Sequence, residues 1–109
     1  MPQYMYQFAY TPESWTAQVN PQNRVETVGK TAVEAVGGKL IGAWLCFGEY
    51  DAVLILDVPN EESMAGIAMG VAARGALKAS KTTLLMTGTQ GVNALKQADE
   101  VAKIYWPAR

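Results

Sequence analysis

There is no histidine in the chain. That removes the commonest general base and the commonest transition-metal ligand. There is one cysteine, Cys46. A disulfide framework is therefore excluded. With no thiol pair and only scattered carboxylates, no metal site is expected. Cys46 falls inside an apolar run, where a buried structural thiol is the expected role. Charge is scarce: 17% of residues are charged and the net charge is −1. Lysines and arginines are spread from Arg24 to Arg109 with no basic stripe, so nucleic acid is not an expected partner. Stretches without a charged or strongly polar side chain, such as 40–48, fall far short of the roughly 20 apolar residues that span a bilayer. The first ten residues, MPQYMYQFAY, lack the basic region and apolar core of a signal peptide. The expectation is a soluble cytoplasmic protein that does not engage membranes. Gly37-Gly38 and Gly88-x-x-Gly91 lack the spacing and the lysine of a phosphate loop, and no cofactor is expected.

What is present fits one packed domain, residues 1–109, with half of its residues hydrophobic. Residues 3–10 alternate Tyr4, Tyr6, Phe8 and Tyr10 with Gln3, Met5, Gln7 and Ala9, which predicts a strand. Thr11-Pro12-Glu13 starts a helix, with a cap, a proline at the first position and a carboxylate at the positive end. Asn20-Pro21 interrupts it and restarts a second helix over 21–36, where Val25, Val28, Ala32, Val33 and Val36 form one stripe. Gly37-Gly38 stops that helix. Apolar runs at 39–47 and 52–58 predict two strands joined by the corner Phe47-Gly48-Glu49-Tyr50-Asp51, an antiparallel hairpin. Asn60 caps the next helix. Met64, Ile67, Ala68, Val71 and Ala72 form its stripe, and its many small residues suit close approach to the sheet or to a partner. A strand over 76–86 follows. A last helix from about 90 to 104 is expected to turn Val92, Leu95, Ala98, Val101, Ala102 and Tyr105 inward.

The order is β-α-β-β-α-β plus a terminal helix. That is an α+β, ferredoxin-like pattern: a four-stranded antiparallel sheet with its helices on one face. Strands apolar on both faces need cover on both. Another subunit's sheet, in a homodimer or larger homo-oligomer, is the expected cover.

The Tyr4 strand, the Tyr10-Thr11-Pro12-Glu13 junction, Gly37-Gly38-Lys39, Gly48-Glu49-Tyr50-Asp51 and the small-sided helix after Val58-Pro59-Asn60 occur in that order. Together they resemble the GYD family over roughly residues 3–99. The resemblance implies the dimeric α/β-barrel superfamily, in which ferredoxin-like subunits pair through their sheets. The GYD family itself brings no established activity with it, although the superfamily includes cofactorless enzymes.

The candidate chemistry centres on Tyr50 and Asp51. The carboxylate could hold the phenol or act as a base, giving a catalytic pair. It could equally cap the hairpin by bonding local backbone N–H groups, with Gly48 supplying a permissive backbone angle. Tyr6, Trp15 and Trp44, with Tyr4 and Phe8, could line a pocket for an aromatic ligand. Arg74 could bind an anion. Lys81 could pair with Asp57, or it could simply be an exposed edge-strand lysine. Three functions follow. The first is binding of a small molecule in a pocket between sheet and helices. The second, implied by the resemblance, is a cofactorless oxygenase, isomerase or decarboxylase-like enzyme. The third is a structural or interaction role without a ligand. A cavity holding Tyr50 or Asp51 is what the enzyme reading requires.

Overall fold

A computed structural model describes residues 1–19 and 24–108. Its elements are β1 (Gln3–Tyr10), α1 (Pro12–Gln18), α2 (Arg24–Glu34), β2 (Lys39–Leu45), β3 (Ala52–Asp57), α3 (Glu61–Ala73), β4 (Leu77–Leu85) and α4 (Gly88–Ile104). The four strands form one antiparallel sheet in the order β2-β3-β1-β4. Each β-α-β crossover is split by one inserted strand: β3 lies between β1 and β2, and β1 lies between β3 and β4. That is the ferredoxin-like arrangement anticipated from the element order.

Local chemistry sets the element ends. The Thr11 side chain accepts from the Ser14 N–H and Pro12 occupies the first helical turn of α1. Asn60 does the same for Ser63 at the start of α3. Thr87 and Gln90 close a reciprocal capping box on α4, which therefore starts two residues earlier than expected. Gly37 and Gly75 stop α2 and α3 with φ of 80° and 73°, a region open to glycine at little cost. The expected restart at Asn20-Pro21 lies outside the described residues.

The core sits on one face of the sheet. Tyr4, Tyr6 and Phe8 of β1 and Ala52, Leu54 and Leu56 of β3 point to it and are buried, joined by Val33, Met64 and Ile67 from the helices. The alternation along β1 is the one expected, with tyrosines and Phe8 inward. α2 comes so close to β3 that a Cβ on Gly29 would lie 2.8 Å from a Leu54 methyl.

Two expectations are corrected. α4 does not turn its apolar stripe inward: none of its residues is buried. The layer on the core face is already supplied by α1–α3, and α4 leaves an edge strand through the two-residue link Met86-Thr87. The glycines of α3 do not serve close approach to the sheet either. Gly66 and Gly70 sit on its outer side, where an added Cβ would meet nothing within 4 Å. Among the described residues no helix is long and apolar enough to cross a membrane.

Candidate functional site

The helices stand off the sheet and leave a cavity of about 420 Å³ beneath them. Its floor is Tyr6, Phe8, Leu54 and Leu56 of the sheet. Val25, Val28 and Gly29 of α2 form one wall, and Ile67 and Val71 of α3 form the other. Glu13, Gln18 and Arg74 also line it. Glu13 and Arg74 are exposed, so they belong to its mouth. The Thr11 N–H donates to the Ala76 carbonyl at 3.0 Å, tying the start of α1 to the segment after α3. That bond holds the Glu13 and Arg74 segments at the same rim. The volume falls within the range of small-molecule sites, and the lining is mostly apolar with a few polar groups, as such sites require.

An aromatic row runs along the floor. Tyr6 and Phe8 have ring centroids 5.3 Å apart, Phe8 and Tyr10 are 5.3 Å apart edge to face, and Tyr10 and Trp15 are 5.0 Å apart edge to face. These are favourable aromatic geometries. The Tyr6 hydroxyl is the unusual member. Its oxygen is buried and makes no hydrogen bond. Burial pushes the phenol pKa above its ordinary value of about 10. The neighbouring Ser80 hydroxyl pulls against that rise without reaching hydrogen-bond geometry. A buried, unpaired hydroxyl costs roughly 1–3 kcal/mol, and this one is closed off from solvent, so Tyr6 meets the cavity with its ring.

The structure divides the residues singled out from sequence. Tyr6 and Arg74 line the cavity, and Trp15 stands beside it through Tyr10. Trp44 and Lys81 do not reach it. They occupy the opposite, open face of the sheet, where the Trp44 ring lies over Gly42 so closely that a Cβ there would be 2.5 Å from it. The open face also carries Met5, Val53 and Ile55, all only partly covered.

Tyr50 and Asp51 are not among the cavity's lining residues either. Asp51 Oδ2 accepts from the Tyr10 N–H at 2.9 Å, the Asp51 N–H donates to the Phe8 carbonyl at 2.9 Å, and the Asp51 carbonyl accepts from the Cys46 N–H at 2.9 Å. The carboxylate thus fastens the hairpin corner to the end of β1, rather than bonding backbone groups within the corner. Cys46 is half-buried and lies one residue beyond β2. Its Sγ donates to the Tyr50 carbonyl at 3.0 Å. Gly48 is not in the left-handed region, so its expected backbone role is corrected: the positive-φ glycines among the described residues are Gly37 and Gly75.

Of the two readings of Lys81, the pair with Asp57 does not form, and Lys81 is exposed on the edge strand β4. Lys81 pairs with Gln7 in the β1–β4 register, while Asp57 pairs with Gln3 on the other side of β1. Four residues of strand separate them, about 13 Å at strand spacing. Asp57 Oδ1 is instead buried with no hydrogen-bond partner among the described residues. Among those residues, no three metal-capable side chains come together.

Sequence reading missed Glu13, Gln18 and the α2 wall. Glu13 reads as a first-turn carboxylate that suits a helix dipole. Val25 and Val28 read as core. An apolar stripe has the same period whether it meets side chains or empty space, so sequence could not say that these residues line the cavity.

The GYD domain family model matches residues 4–102. No curated protein matches the chain. Among solved structures, the crystal structure of FFRP-DM1 is similar, with a TM-score of 0.53 and 11% identity over 79% of this chain and 100% of that one. The crystal structure of hypothetical protein PHS023 from Pyrococcus horikoshii gives a TM-score of 0.51 and 11% identity over 80% of this chain and 92% of that one. Likeness at that identity shows a shared fold alone.

Proposed function

The chain belongs to the GYD domain family, and from that premise we propose that it binds a small, largely apolar molecule in the cavity between sheet and helices. The observation that supports this most is the cavity itself: about 420 Å³ of space over an aromatic floor. Tyr6 and Phe8 supply aromatic rings at that floor, and Glu13 and Arg74 supply charge at the mouth. An aromatic or alicyclic body with one hydrogen-bonding group matches these surfaces.

Thermal-shift screening with small aromatic compounds tests the reading. A binder should raise Tm of the native chain and keep its affinity in Tyr6→Phe, whose hydroxyl is closed off from the cavity. It should not bind Val28→Trp, which fills the cavity from a wall residue. The reading fails if no compound binds, or if Val28→Trp binds as well as the native chain.

The interaction reading has an observation of its own: the open sheet face carries Met5, Trp44, Val53 and Ile55 with nothing over them. Homodimerisation through this face is therefore part of the proposal. We place the protein in the cytoplasm, where a lone thiol such as Cys46 stays reduced. Enzymatic turnover is the weaker alternative, since Tyr50 and Asp51 stand apart from the cavity and Asp51 is already engaged by the backbone.

A further inference from the structure

Two helices of this chain carry apolar surface with nothing on it. The first is α4. Leu95, Ala98, Val101, Ala102 and Tyr105 share one side of it and are all exposed, Leu95 at 70%. On the other side Lys103 bonds Asp99 at 3.2 Å and Glu100 at 3.4 Å. The helix is thus sorted into an apolar side and a charged side, the pattern of a helix that packs on something. Helices of this length draw most of their stability in water from tertiary packing.

The second is α3. From Ser63 to Ala73 it holds no charged residue. A helix that is apolar all round belongs in an interior. Met64 and Ile67 are buried against the sheet, but Gly66, Met69, Gly70 and Ala73 face outward and are exposed. Open space above Gly66 and Gly70 leaves a shallow trough in which a second helix could approach closely.

The size of the molecule says how much surface is waiting for cover. The chain exposes 7765 Å², whereas a compact monomer of 11.8 kDa exposes about 5,900 Å². The radius of gyration is 17.2 Å, against roughly 13 Å for a compact domain of this length. The surplus of about 1,900 Å² exceeds the roughly 800 Å² that each partner contributes to a standard interface. The link from β4 to α4 is two residues, closed by the capping box. Short links of this kind favour exchange of an element between copies.

We propose that α4 of each chain docks, by its Leu95–Ala98–Ala102 side, into the Gly66–Gly70 trough of α3 in a second copy of this chain. Two copies exchanging α4 in this way bury both apolar surfaces at once, as a two-fold assembly allows. The proposal does not depend on ligand binding in the cavity, nor on pairing through the open sheet face.

Crosslinking tests it. On a Cys46→Ser background, a chain with Gly70→Cys is co-expressed with a tagged chain carrying Ala98→Cys, and the two are joined with a short bismaleimide. The expected product is the mixed, two-chain species. Adding Gly66→Leu to the Gly70→Cys chain should cut that product at least tenfold. The leucine replaces a glycine with open space around it in its own chain, so an unchanged circular dichroism spectrum shows that folding is spared. If both cysteines in one chain instead link within a monomer-sized species, α4 folds over its own α3 and the proposal is wrong. Absence of any link, with both thiols reactive to a monofunctional maleimide, also overturns it.

Discussion

Asp51 joins parts of the chain that are 41 residues apart, through a single carboxylate oxygen on the Tyr10 N–H. Asp51→Ala leaves that amide without its partner and should cost about 1–3 kcal/mol, read as a lower urea midpoint. Asp51→Asn keeps an oxygen acceptor and should cost less. Tyr50→Phe should stay within about 0.5 kcal/mol, as a surface change does, because the Tyr50 contact seen here is made by its carbonyl. A native midpoint in Asp51→Ala would remove the architectural role. The signature was legible as a corner, because its flanking runs and glycine are local signals. Its tie to Tyr10 was not, because a contact across 41 residues leaves no trace in local spacing. Tyr6 gives a second residue-scale expectation. Its phenol pKa is raised in the folded chain by burial. The unfolded chain therefore releases that proton first. The associated stability is complete below about pH 10 and is lost as pH rises through the higher folded value. Tyr6→Phe should flatten this alkaline fall and, by removing an unpaired hydroxyl, leave the chain at least as stable at pH 7. Urea titrations between pH 7 and 11 would show it.

Among the elements, those with caps and stops were the most legible. Thr11, Asn60 and Thr87 each bond the amide three residues on, as their side chains and positions foretell. Gly37 and Gly75 end their helices in the backbone region that glycine alone enters freely. The glycines between these limits are not equivalent. A Cβ on Gly38 would lie 2.5 Å from the Asp57 carbonyl oxygen and 2.8 Å from a Val33 methyl. Backbone cannot move aside as a side chain can, so Gly38→Ala should cost roughly 1–3 kcal/mol through overpacking. Gly48→Ala meets nothing and should be neutral. Paired thermal melts of the two variants test this difference. What periodicity could not say is where an apolar stripe ends up. The stripes of α2 and α4 look alike in sequence. Yet Val33 of α2 is buried, Val28 borders a cavity, and no residue of α4 is buried among the described residues.

For the molecule as a whole, strand order followed from element order once the hairpin and the two crossovers were read. Two-sided apolarity of β3 was legible as a demand for cover on both sides. The helices meet that demand on one side only, so a homodimer through the open face remains the proposal that answers the other. Ile55→Asp places a carboxylate at the centre of that face. It should shift the native chain from dimer toward monomer at micromolar concentration in sedimentation velocity. A native chain that is monomeric there would count against pairing. A pocket between sheet and helices was an expectation of the sequence, but its size and most of its lining were beyond reach, because empty space between layers depends on how far three helices stand from a sheet. The placement of the three tryptophans has a practical consequence. Trp15 stands by the cavity against Tyr10, Trp44 lies on the open sheet face over Gly42, and Trp106 follows α4 and is 84% exposed. Each surface proposed to be occupied therefore carries its own intrinsic fluorophore. Variants that keep one tryptophan and replace the other two with phenylalanine would report ligand entry, sheet pairing and α4 docking as three separate optical signals from one small protein.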